Sequence, residues 1–155
     1  MNFKLYDKKA SKQELSFIMI CLAILCCCGI FVGLLDNLRL YLDLSKESTE
    51  NAIWQILPES ITLSIMVICS IIIGAILKNV KRNQIFTHNN GAHIMNIGGL
   101  IDLNGLILWG LSNLSPVKAI GHGYMIYILI GLFFLFIGCV FKLGVKMKEE
   151  QDLTI

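Results

Sequence analysis

"IMNIGGLIDLNGLILWGLSNL", residues 94 to 114, decides the fold, because it is the long apolar run of this chain that carries an acid, Asp102. Three other runs hold no Asp, Glu, Lys or Arg at all: Leu15 to Leu35, Ser60 to Leu77, and Ala119 to Phe141, whose apolar heart is Met125 to Phe141. A helix needs roughly 20 residues to cross a hydrocarbon core about 30 Å thick, so each of those three is long enough. If residues 94 to 114 also cross, the count is four and both chain ends share one side. If they do not, the ends lie on opposite sides.

The basic residues answer the question independently of hydropathy. Segments rich in Lys and Arg stay cytoplasmic. Lys4, Lys8, Lys9 and Lys12 lie before the first run, Lys78, Lys81 and Arg82 lie before residue 94, and Lys142, Lys146 and Lys148 follow the last run. Those ten face only Arg39, Lys46 and Lys118 in the remaining segments. Four spans place all three basic segments on one side, whereas three would export the basic C-terminal tail. The expectation is an all-α integral membrane protein with one domain over 1–155 and spans at about 15–35, 60–77, 94–114 and 120–141. Residues 1–14, 78–93 and 142–155 are then cytoplasmic, with 36–59 and 115–119 on the far side. A cleaved leader does not fit the first run, which is too long for a signal core and has no small-x-small site before Asp36.

Composition agrees. Only 15% of the 155 residues are charged and the mean hydropathy is +0.71, too apolar for a soluble domain. A net charge of +2 implies no polyanionic partner, so direct nucleic-acid binding is not expected.

The first far-side loop, Asp36 to Glu59, shows Leu38, Leu40, Leu42 and Leu44 alternating with Arg39, Tyr41 and Asp43, a period-two pattern. A strand and an extended segment on the membrane surface fit it equally. After it, Ser48 can cap a short interfacial helix whose apolar face is Ile53, Trp54, Ile56 and Leu57. Pro58 then marks the start of the second span, where a missing N–H costs least.

No catalytic or metal constellation emerges. Cys26, Cys27 and Cys28 are consecutive, but thiols about 100° apart around a helix do not converge on one ion; together with Cys21, Cys69 and Cys139 they read as reduced packing residues. His88 and His93 are spaced i, i+5, and His122 belongs to the other side. No phosphate-loop, nucleophile-elbow or zinc-protease motif is present, so neither an enzyme nor a cofactor is expected.

Asp102 is the leading candidate intramembrane polar residue, with Asn104 beside it. An ionised aspartate at mid-span costs about 2.5 to 3.5 kcal/mol on insertion scales, so it faces the bundle interior, a water-filled cavity or a partner. Gly91, Met95, Gly98, Asp102, Gly105 and Trp109 follow helical steps of four and three, one stripe of small residues around the acid. Tyr124, Tyr127, Gly131, Gly138 and Lys142 form a comparable stripe on the last helix. Gly98, Gly105, Gly131 and Gly138 are thus the candidate packing residues. Asp102 admits three readings: a neutral acid hydrogen-bonded inside the bundle, a proton or cation relay, or a register that brings it nearer water.

"KNVKRNQIFTHNN" at 78–90, followed by "HIMNIGGLI" at 93–101, and the closing "KMKEEQDLTI" at 146–155 resemble the corresponding segments of domain-of-unknown-function family 2975. The resemblance implies a small bacterial four-span protein of the cell (inner) membrane. Genes of that family often stand beside small helix-turn-helix regulators, which implies a cytoplasmic transcription regulator as partner. The residues supply a surface for one. Thr87 can cap the third helix, with Phe86 packing back on its next turns. Lys146 and Glu150, spaced i, i+4, carry the fourth helix out of the membrane. Lys81, Arg82, Phe86, Thr87, Lys146, Glu150 and Asp152 form the candidate docking surface, open to a protein or to anionic headgroups. The leading expectation is a non-catalytic binding or regulatory protein in the lipid bilayer. The alternative is a small transporter or channel component using Asp102, which would require a homo-oligomer.

Overall fold

The computed structural model describes residues 8–44, 52–82, 84–116 and 123–153. It consists of four helices: α1 (Lys8–Leu44), α2 (Ala52–Lys81), α3 (His88–Leu114) and α4 (Tyr124–Asp152). At 1.5 Å per residue, even α3, the shortest at 27 residues, extends about 40 Å, enough for the hydrocarbon core and part of both headgroup layers. All four are long and apolar enough to cross a membrane.

The helices run longer than the apolar runs that announce them, and two expectations are corrected. Residues 38–44 are helical, not extended. A lone strand has no partner for its backbone N–H and C=O groups, whereas a helix bonds its own. Nothing between Asp36 and Leu44 breaks it, and Arg39 faces Asp43 one turn on at 3.9 Å. Likewise, residues 53–57 are not a separate interfacial helix. They are the opening turns of α2, and Pro58 lies inside that helix rather than at its start. Its missing N–H removes the bond that the Trp54 carbonyl would otherwise accept. Ser48, the expected cap, lies outside the described residues.

Each helix packs on its neighbours in sequence, so that α1, α2, α3 and α4 form a row, with the α3–α4 pair the most intimate. The α1–α2 seam is built on small groups. Gly29 receives the Met66 side chain, Gly33 that of Leu63, and Asn37 accepts a 3.0 Å hydrogen bond from Ser60. The amide of Asn37 is itself held by the Gly33 carbonyl at 3.0 Å.

Burial is inverted relative to a soluble protein. Among the described residues the buried large apolar side chains are Ile97, Leu108 and Val145, while Phe31, Ile71, Leu129 and Phe136 are each more than 60% exposed. Such a surface is stable only against lipid or another apolar face. The exposed Cys27, Cys28 and Cys139 belong to the same surface, and all six cysteines are free. The helix with the acid is the exception: 28% of its spanning window is buried, against 11% or less in the other three. Residues 94–114 look weak as a span because α3 sits between α2 and α4, where small and polar side chains serve contact rather than lipid solvation.

Candidate functional site

The α3–α4 seam is an antiparallel match of the two stripes. Gly91 lies under the aliphatic stem of Lys142, Met95 against Gly138, Gly98 against Gly131 and Leu135, and Gly105 against Ile128 and the Tyr124 carbonyl. Every forward step on α3 is met by an equal step back on α4. Glycine is required here in a strict sense. A Cβ on Gly98 would stand 2.8 Å from the Leu135 backbone nitrogen and 2.9 Å from the Gly131 oxygen. Trp109 leaves the stripe and is half exposed. Gly98, Gly105, Gly131 and Gly138 therefore do lie in the seam.

Asp102 closes on Gly131, one residue past the midpoint of α3. Its Oδ1 is buried and has no hydrogen-bond partner among the described residues. The absence of a Cβ on Gly131 gives the carboxyl its room. Asn104 does not join it. Two residues further round the helix it is fully buried toward α2, where its amide and the Thr62 hydroxyl exchange two long contacts of 3.4 Å. The two polar residues belong to different seams, and α3 presents one to each neighbour.

At the end of the bundle holding the α2–α3 loop, the sequence signals converge. Thr87 caps α3, its side chain accepting from the Asn90 N–H at 3.3 Å. The ring of Phe86, the residue before the cap, stacks on Phe141 of α4 with centroids 5.5 Å apart and planes 15° from parallel. The α3–α4 seam brings Phe141 close to the start of α3, within reach of Phe86. His88 meets Glu149 at 3.4 Å, and Lys146 meets Glu150 at 4.0 Å. Lys81 and Arg82 are exposed on the same end. Asp152 ends α4, and its side chain lies outside the described residues.

Sequence reasoning missed the residue that organises this end. Asn90 is 2% exposed. Its side-chain oxygen accepts from Asn79 of α2 at 2.8 Å, and its amide donates to the Gln84 and Ile85 carbonyls, both at 2.8 Å. One side chain thereby ties the end of α2, the loop and the start of α3. The only signal available was an asparagine three residues after a capping threonine, in a stretch already rich in asparagine.

At the opposite end, a cleft of about 410 Å³ is lined from all four helices, by Leu40 of α1, Trp54, Gln55, Pro58, Glu59 and Thr62 of α2, Leu108 of α3, and Gly123, Tyr124 and Tyr127 at the start of α4.

Residues 4–155 match the family model described as protein of unknown function (DUF2975), so the chain belongs to that family. No curated protein and no solved structure matches it.

Proposed function

From that membership, we propose that this chain is a non-catalytic, membrane-embedded binding or regulatory protein whose α2–α3 loop and α4 tail together dock a small cytoplasmic helix-turn-helix regulator. It would reside in the bacterial inner membrane, and the distribution of Lys and Arg supports both termini in the cytoplasm. The observation that supports this reading is the union of loop and tail into one ordered face, joined by the Phe86–Phe141 stack and the His88–Glu149 contact. Such a face offers a partner a fixed pattern: the basic groups of Lys81, Arg82, Lys142 and Lys146 near the membrane, and Glu149 and Glu150 further out. A preorganised surface binds with less ordering cost than a mobile loop.

The test is co-expression with small helix-turn-helix regulators of the same genome, followed by co-purification from native membranes. Truncation of residues 146–155, or the double substitution K81Q/R82Q, abolishes the complex on this reading. A complex that survives both changes refutes it.

A second reading is favoured by the unpartnered Oδ1 of Asp102. It makes the chain a transporter or channel component, assembled as a homo-oligomer because a row of four helices encloses no pathway alone. Asp102→Asn separates the two: an unchanged cellular phenotype with intact expression removes transport, while regulator binding is unaffected.

A further inference from the structure

We propose that the cleft at the end of the bundle away from the α2–α3 loop binds an organic cation that carries an apolar or aromatic group. The proposal stands apart from the docked regulator, since it concerns the other end of the molecule and direct binding to the purified chain. At about 410 Å³ the cleft falls within the range of small-molecule sites. It is also where all four helices converge, although among the described residues α1 and α4 do not pack on one another. A ligand seated there would join the two ends of the row.

The lining sets the chemical class. Among the described lining residues Glu59 is the charged one, and it is an acid. Arg39, next to Leu40, instead faces Asp43 on its own helix. Among the described residues, therefore, the lining holds a carboxylate and no basic side chain. Trp54, Tyr124 and Tyr127 contribute three aromatic rings, whose faces attract cations and especially quaternary ammonium groups. Leu40, Pro58 and Leu108 supply apolar wall, which a small hydrated metal ion would leave unused. A carboxylate, aromatic rings and an apolar wall together select an organic cation over an anion, a metal ion or a neutral hydrocarbon.

The site's position at a membrane boundary allows two sources for the same chemistry, the ammonium of a lipid headgroup or a soluble amine. Binding is measured on the full-length protein in nanodiscs of phosphatidylglycerol, with Trp109→Phe as background so that Trp54 is the fluorophore. Phenyltrimethylammonium is the probe and tert-butylbenzene its neutral isostere. The expected result is saturable quenching by the cation, with the neutral isostere weaker by about tenfold or more. Glu59→Gln should weaken the cation by about tenfold while Glu59→Asp retains most of the affinity. Tyr127→Leu should weaken it by about threefold while Tyr127→Phe does not. Equal binding of cation and isostere overturns the proposal without any variant at Glu59. So does unchanged affinity in Glu59→Gln protein of normal helix content. Adding phosphatidylethanolamine to the nanodiscs then names the source: loss of probe affinity assigns the site to a headgroup ammonium, and unchanged affinity assigns it to a soluble cation.

Discussion

Gly98 and Gly99 are adjacent on α3 and differ in one respect, so substituting each by alanine isolates the close approach of α3 to α4. A methyl on Gly99 meets nothing within 4 Å, whereas one on Gly98 lies 2.8 Å and 2.9 Å from two backbone atoms of α4. Non-bonded heavy atoms settle at about 3.5 to 4.0 Å, so the helices must part by roughly 0.7 Å, a gap that forfeits a quarter to a half of each contact's attraction. Overpacking of this kind costs about 1 to 3 kcal/mol. Both substitutions gain about 1 kcal/mol of intrinsic helix propensity, and that gain cancels in the comparison. Gly98→Ala is therefore expected to be less stable than Gly99→Ala by about 1 to 3 kcal/mol. The assay is reversible unfolding of purified protein in mixed dodecyl maltoside and dodecyl sulfate micelles, followed by circular dichroism. Two variants that agree within about 0.5 kcal/mol would refute the seam as drawn.

Asn90→Ala removes three side-chain hydrogen bonds of 2.8 Å, and the same assay should show a loss of about 1.5 to 4 kcal/mol. A change no larger than that of an exposed loop residue would remove Asn90 from its organising place. The Thr62–Asn104 contact is long, so a double-mutant cycle with Thr62→Val and Asn104→Leu should return a coupling of only about 0.5 kcal/mol. Zero coupling would mean the two residues do not interact. Phe86→Ala gives up a stacked pair worth about 0.5 to 1.5 kcal/mol, which should free the loop locally. Trypsin should then cut after Arg82 severalfold faster with helix content unchanged, and an unaltered rate would show that the ring does not anchor the loop.

Much of this was legible because helical spacing is a strong signal where contact is made through small residues. The steps from Gly91 to Gly105 and from Tyr124 to Lys142 identify both sides of the α3–α4 seam, and the basic residues establish four spans despite Asp102. The Thr87 cap was legible for the same local reason. Other features were not. Leucines at 38, 40, 42 and 44 alternate as a strand would, yet over seven residues that alternation also suits a helix leaving the membrane, and the absence of a pairing strand decided the outcome. Pro58 reads as a helix start by propensity, but α2 continues through it. Asp102 and Asn104 look like one polar site in sequence, and the helical turn separates them toward different neighbours. The Gly29, Gly33 and Asn37 series was available at i, i+4 spacing but stands beside a conspicuous cysteine triplet that draws attention first. Asn90 had no pattern to betray it, since its importance lies in three partners brought together only by the fold.

The placement of the α2–α3 loop and the α4 tail in the cytoplasm underlies the regulatory account. Alkaline phosphatase, active only outside the cytoplasm, tests it when fused after Lys46 and after Arg82. The account predicts high activity for the Lys46 fusion and none for the Arg82 fusion at equal expression. The reverse pattern would put the loop and tail surface outside the cell and contradict the account.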